Sequence, residues 1–396
     1  MRWLGRAVLL LAVLACRGTP PGRAQDITRL VDSLRPHVER AAGLRFREAP
    51  RSAMRTRDEV RDYVSARLAE DFPPSKQEGL GAAYRLLGLV PDTLDLRTVI
   101  LEVLTEQVAG YYDPATRTLV GVTGAAPDVL RLTLAHEIVH ALQHEALPLE
   151  QLLTPRGNSD RSGAAQAVLE GHAMMVSLRS MPGVAEMLRN PEVWRETRET
   201  IQNSRGAGRV FESAPRILRE ALLFPYLDGA EFIRWWDSAR AGKPLPSSEE
   251  LPVSTEQILH PGRSLGQDPP VAVAFADSTP DVIYEDTFGE FEMQVMATIL
   301  RGGGEVLTEQ PAGWGGDRFR VYRSDAGPAL TWYLAFDDSL SAARFAGGIG
   351  ARLRAGTRAG YRTTMDRLLV SGAPGARVVI APDGWARWSS LPVPRR

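Results

Sequence analysis

Apolar positions change their spacing several times along the chain. Ile27, Leu30, Val31, Leu34 and Val38 recur every three or four residues behind Asp26, with Gly43 placed to close the turn, which predicts an amphipathic helix. Thr56-Arg57-Asp58-Glu59 has the form of a capping box ahead of Val60, Tyr63 and Val64, so a second helix begins there. Helical spacing continues over residues 80–89 and 96–108. The stretch GYYDPATRTLVGV then breaks the pattern: Asp113-Pro114-Ala115-Thr116 is turn chemistry between β-prone runs and predicts a hairpin. Pro127 and Asp128 open a further helix, and another, rich in small residues, is predicted over residues 163–179.

After a Pro/Ser-rich stretch at 243–253 the pattern shifts. Residues 288–300 read as a helix ended by Gly302-Gly303-Gly304, followed by strand-like runs at 319–322, 330–336 and 378–380 and a helix at 339–353. The expectation is an α+β chain: a mainly helical domain with a small sheet over 25–245, a connecting segment over 246–275 and a smaller α+β domain over 276–396. The glycine runs RGGGE (301–305) and GWGGD (313–317) lack the strand–loop–helix context and Lys-Ser/Thr ending of a phosphate loop, so turns are expected there.

Charge changes this picture only by exclusion. Among 396 residues, 47 Lys and Arg nearly cancel 48 Asp and Glu, and no basic stripe interleaves with aromatics, which argues against a nucleic-acid partner. The N-terminus adds more. Arg2 and Arg6 precede an apolar run over 7–15, too short to span a bilayer comfortably and laid out like an export signal. The single cysteine, Cys16, follows in VLAC, which resembles the lipobox of bacterial lipoproteins and implies an exported chain held at the membrane by a lipid on Cys16. Leu14 is bulkier than the residue usual at that place, and Gly22-Arg23-Ala24 offers an ordinary cleavage site, so simple secretion stays open; residues 1–24 are signal and tether either way. With one cysteine the mature fold has no internal disulfide.

The candidate chemistry lies in LAHEIVHALQHE, residues 134–145. At about 100° per residue, Leu130, Leu134, Ile138 and Leu142 share one side of a helix, and Thr133, His136, His140 and His144 cluster broadly opposite. His136-Glu137-Ile138-Val139-His140 is an HExxH motif: imidazoles four apart stack one above the other and can grip one ion, with the adjacent Glu aimed at water on it. The segment resembles the active-site helix of the zincin metallopeptidases. Gln143 and an early His144 disfavour the metzincin branch, whereas the gluzincin branch, typified by thermolysin-like enzymes, draws a Glu from a following helix.

QAVLEGHAMM supplies one in Glu170, 30 positions beyond His140, within a helix whose Ala164, Ala165, Ala167 and Ala173 allow close approach. The alternative for Glu170 is a structural ion pair, for instance with Arg179. The resemblance implies Zn²⁺ held by His136, His140 and Glu170, with Glu137 as general base. Candidate donors to the developing oxyanion are Tyr226, in LFPYLDGAEF, and His260, in STEQILHP. Residues 118–122 are expected to be the edge strand that aligns substrate backbone. His144 and His172 are expected to support a ligand from behind, His172 only as an acceptor, or to be surface histidines, with a spare ligand as the alternative.

The expected function is therefore zinc-dependent hydrolysis of peptide bonds in the cell envelope or outside the cell, on a peptide or protein substrate. A second possibility is a non-catalytic envelope lipoprotein with a structural zinc site and a partner-binding C-terminal domain. The intact Glu137 argues against it, because a purely structural site has no use for a base. Hydrolysis of a non-peptide amide, as in cell-wall material, is a third.

Overall fold

The structure, a computed structural model, describes residues 27–394 except 154–156, 204–207, 264–267 and 305–312. The expected signal, tether and Cys16, and the Asp26 cap, lie outside the described residues. The chain is α+β, with a mainly helical first part and two small sheets.

Helix α1 (Ile27–Ala42) buries Ile27, Leu30, Val31, Leu34 and Val38, as their spacing predicts, and Gly43 closes it at φ +65°. Strand β1 (Arg51–Arg55) follows, then α2 (Arg57–Asp71), whose Thr56 and Glu59 form both halves of the capping box. Helices α3 (Pro74–Leu86) and α4 (Leu96–Gln107) lead to the hairpin of β2 (Gly110–Asp113) and β3 (Thr118–Val122). Helix α5 (Pro127–Ala146) starts on Pro127 and carries the HExxH motif. A short α6 (Leu149–Leu153) precedes α7 (Ser159–Arg179), which begins four residues earlier than its small-residue pattern suggests because Asn158 caps it. Three shorter helices, α8 (Val184–Met187), α9 (Pro191–Asn203) and α10 (Arg209–Ser213), lead into the 24-residue α11 (Arg216–Ala239).

The first sheet has the order β1-β3-β2, with β1 parallel and β2 antiparallel to β3. Strand β3 is thus central, and the expectation that residues 118–122 form the open edge is corrected: β2 and β1 are the edges. Val122 N–H donates to the Ala109 carbonyl across the pair, whereas Tyr112 N–H turns away from β3 toward α5.

The second part begins with α12 (Thr255–Leu259) and β4 (Val282–Asp286), then α13 (Gly289–Leu300), β5 (Trp314–Tyr322) and β6 (Ala329–Phe336). Helix α14 (Ser339–Phe345) runs through one π-helical turn (Ala346–Gly350) into α15 (Ala351–Ala355), and β7 (Tyr361–Val370) and β8 (Ala373–Pro382) complete a sheet of order β4-β5-β6-β8-β7. The turn expected at GWGGD is corrected as well: its last four residues open β5, with a register shift between Trp314 and Gly316. Glycines inside a strand often mark such bulges.

One buried cluster runs from Val60 and Val64 of α2 through Val168 and Phe232 to Phe288, Trp332 and Ile380, so apolar packing is continuous from the helical part into the second sheet. A second cluster joins α1 to Leu130, Leu134, Ile138 and Leu142 of α5 with Tyr112 and Leu119 beneath them. No helix among the described residues is long and apolar enough to cross a membrane.

Candidate metal centre

Helix α5 is buried on both sides. Its leucine side packs on α1 and the first sheet, while His136, His140 and Gln143 face α7 and α11 and Glu137 meets β2, all four nearly inaccessible. Burying that many polar side chains is costly unless each finds a partner or an ion. Helix α7 supplies one, and glycine sets the geometry that delivers it. At Gly171 an added Cβ would fall 2.0 Å from the carbonyl carbon of Gly229 on α11, and at Gly229 one would fall 2.0 Å from the Ala167 carbonyl oxygen. The helices therefore cross backbone to backbone beside Glu170, with no room for any side chain at the crossing.

Glu170 Oε2 lies 3.2 Å from His136 Nε2 and 3.3 Å from His140 Nε2, and the two Nε2 atoms are 3.0 Å apart. For comparison, ligands placed tetrahedrally at about 2.1 Å from a Zn²⁺ ion stand roughly 3.4 Å from one another. The trio also mixes two imidazoles with one carboxylate, a donor set suited to a borderline cation. In addition, His136, Glu137 and His140 each offer a ligand atom with mutual separations within 4.8 Å. The buried His136–Glu137–His140 group could therefore hold a metal ion, and a Glu170 oxygen lies 3.2 and 3.3 Å from the two imidazoles.

The charge balance agrees. Burial works against a charged His140, but the Glu170 carboxylate outweighs it and lifts the imidazole to about 9. For Glu170 the opposite holds: burial favours the neutral acid, but His140 and the bond to His136 bring it down to about 2. His136 is lowered, chiefly by burial. The Glu170 carboxylate and the His140 imidazole thus favour each other's charged forms.

Glu137 is arranged differently. Its Oε2 accepts the Tyr112 N–H at 2.9 Å, while Oε1 is buried without a hydrogen-bond partner among the described residues. Burial pushes this carboxyl up to about 8. Behind the imidazoles, the separation of 2.8 Å between His140 Nδ1 and Gln143 Oε1 is a hydrogen bond donated by the imidazole, which turns Nε2 toward Glu170 and His136. Gln143 Nε2 in turn donates to the Leu169 carbonyl (2.9 Å) and to His172 Nδ1 (3.1 Å), locking its amide. His172 is buried and neutral, lowered to about 3 by its burial. Its contact with the centre runs through Gln143, one residue removed from His140. Gln143 itself carries no signal in the sequence beyond its place one turn after His140.

The remaining candidates divide. The buried Tyr226 ring on α11 lies 5.9 Å from that of His136, so the structure brings it to the cluster. His260 goes elsewhere, a correction to the expected oxyanion role: it ends α12 and bonds Glu290 of α13 at 3.1 Å, in a polar group with Glu256, Arg263 and Asp337. His144 meets the Tyr112 hydroxyl at 3.0 Å near the surface. Arg179, the alternative partner for Glu170, instead pairs with Asp237 at 2.6 Å.

An α+β chain with a buried centre able to hold a metal ion is thus the class that fold and site define. Compared with known families, residues 280–382 match a domain of unknown function (DUF8575), which coincides with the second sheet from β4 to the end of β8. No curated protein matches the chain. Among solved structures, a protein of novel fold from Chloroflexus aurantiacus, provisionally described as a hydrolase, is similar over 62% of this chain and 91% of its own, at 20% identity and a TM-score of 0.37. A superposition that loose carries no argument about fold or chemistry.

Proposed function

We propose that the chain is a zinc-dependent metallopeptidase of the gluzincin kind. The observation that carries this reading is the convergence of His136 Nε2, His140 Nε2 and Glu170 Oε2, separated by 3.0 to 3.3 Å, beside a Glu137 oxygen with no hydrogen-bond partner among the described residues. Those three atoms would hold the ion; when bound, Zn²⁺ with an open position supplies a Lewis acid and a water acidified toward neutrality.

The chain's own residues do the rest. Glu137 is anchored through Oε2 by the Tyr112 N–H, so Oε1 takes the proton of the attacking water and returns it to the leaving amine. Burial raises this carboxyl, which favours its holding that proton between the two steps. Tyr226, stacked obliquely beside His136, is the remaining candidate donor to the oxyanion. Strand β2, an edge strand, replaces β3 as the place where a substrate strand would lie. We extend the proposal to location: export, with lipid attached at Cys16, read from the sequence alone and tested by the mass of the mature N-terminal peptide.

The direct test compares the purified protein with Glu137→Gln. Both should contain one zinc per chain, and the variant should lose about 10²- to 10⁴-fold in kcat on a peptide substrate. A parent without stoichiometric zinc, or a Glu137→Gln protein as active as the parent, removes the reading. Tyr226→Phe should lower kcat by about 10²-fold if its hydroxyl meets the oxyanion, with zinc content unchanged.

A further inference from the structure

Charge is unevenly divided along the chain. Residues 339–396 hold ten arginines, no lysine and two acids, Asp366 and Asp383, while the whole chain carries a net charge of −1. The arginines are too widely spaced to form a run in the sequence, but the fold gathers several of them. An added Cβ at Gly350 would fall 2.9 Å from Met365 Sδ, so the helical segment from α14 to α15 lies on the face of β7 that carries Met365. The register of β7 against β8 is unbroken from Tyr361 to Val370, and strand alternation puts Arg367 and Leu369 on that same face. Asp366 points to the opposite face, where it pairs with Arg377 at 2.7 Å.

Arg344 of α14 and Arg352 and Arg354 of α15 are exposed on the helical side. Arg352 donates to the Leu300 carbonyl at 3.0 Å, whereas the guanidinium groups of Arg344, Arg354 and Arg367 make no hydrogen bond or ion pair with any described residue. The acids next to this face are engaged: Asp337 faces Arg263 at 3.6 Å, and Asp338 caps α14 by accepting the Ser341 N–H at 2.7 Å. Leu340 and Leu369 stand 58% and 69% exposed. They flank one end of the sheet. Leu369 pairs with Pro374, next to the Ala335–Gly375 pair, and Leu340 follows four residues after the end of β6, one helical turn before Arg344.

Arginine forks match phosphate geometry, and protruding leucines gain free energy only by leaving water. Stacking of nucleic-acid bases would need free rings, but Phe345 is buried and Tyr361 is half-buried beneath Arg358 at 4.2 Å. We infer that this face docks onto an anionic phospholipid surface, with the arginines on headgroup phosphates and Leu340 and Leu369 in the interface. The inference goes beyond the peptidase reading and depends neither on it nor on lipid at Cys16.

The test is co-sedimentation of the purified protein with vesicles of phosphatidylcholine alone and of equal parts phosphatidylcholine and phosphatidylglycerol. Binding to the anionic vesicles should be at least about tenfold tighter and should weaken as salt is added. Arg354→Gln and Arg367→Gln should each weaken it about fivefold, and their combination about 25-fold. Leu340→Ser with Leu369→Ser, at unchanged charge, should weaken it by at least about fivefold. Arg195→Gln, on α9, removes one positive charge elsewhere and should change nothing. Every variant shares the parental N-terminus, so its apolar run contributes equally to all of them, and melting temperatures check that each is folded. Equal binding to both kinds of vesicle, or parental binding by the double arginine variant, overturns the inference. So does a leucine variant that binds like the parent while a single-stranded oligonucleotide is held as tightly as the vesicles, because that marks a general polyanion face.

Discussion

Gln143 is the residue on which the geometry of the centre turns. Its oxygen accepts the His140 Nδ1 proton, and its nitrogen is held by the Leu169 carbonyl and His172. Imidazole ligands with such outer partners are oriented and made more basic, and losing the partner costs about 10- to 100-fold in metal affinity. On the zinc reading proposed above, Gln143→Leu should therefore weaken metal binding by about that factor in a chelator competition. It should also leave His172 Nδ1 without its donor in a sealed site. His172→Leu acts through the amide alone and should weaken zinc less; an effect equal to that of Gln143→Leu would show that His172 touches the ion after all. The motif residues His136, Glu137 and His140 were legible in the sequence because a four-residue helical spacing is local and chemistry-specific. His260 was misplaced because nothing local distinguishes a histidine that ends a helix near one carboxylate from one that ends a helix near another.

At the scale of elements, the centre depends on how closely α7 and α11 approach. Gly229→Ala would place a Cβ 2.0 Å from the Ala167 carbonyl oxygen, far inside contact, so the helices must separate. Overpacking of this kind costs about 1–3 kcal/mol, and backbone is less forgiving than side chain. The expected outcome is a lower melting temperature together with weaker zinc binding, because α7 carries Glu170. A variant that loses stability with unchanged zinc affinity would show that the crossing does not set the ligand position. The alanines of α7 made a close approach readable, but its partner and the Gly171–Gly229 contact come from a helix 58 positions further on, beyond any local pattern. The same limit explains β3. Its parallel neighbour β1 has the sequence RSAMR, too polar and too far upstream to announce a strand, so β3 looked like an edge. Strands β4 and β7 were likewise missed, since β7 is exposed over much of its length and lacks a buried alternation.

For the whole molecule, buried carboxylates brace both the contact between the two parts and the second part itself, alongside the apolar packing. Asp160, at the start of α7, accepts the Thr255 N–H of α12. Asp317 of β5 accepts the Phe288 and Gly289 N–H groups at the start of α13, together with the indoles of Trp314 and Trp332. Asp317→Ala would strand those four buried donors, each at about 1–3 kcal/mol, and should lower the melting temperature of the entire chain in one transition rather than release the sheet alone. Glu256 of α12 is a different case. Its Oε1 is buried without a hydrogen-bond partner among the described residues, and burial, reinforced by Glu290, Asp337 and Asp268 against Arg263, pushes the carboxyl up to about 9. Folded protein thus keeps a proton on Glu256 that unfolded chain, with its ordinary value of 4.5, has already released. Wherever the native state binds the extra proton, stability falls as pH rises, here by up to about 1.4 kcal/mol per pH unit for one group. His260 is raised by its bond to Glu290 and contributes in the same direction. His136, His144 and His172 are lowered and act in the opposite sense, but only below about 6.5, the ordinary histidine value, beneath which unfolded chain carries their protons. Zinc-loaded protein should consequently melt at progressively lower temperature between pH 7 and pH 9, and Glu256→Gln, which cannot ionise, should flatten that decline. A Glu256→Gln protein with the parental slope over this range would place the missing proton elsewhere.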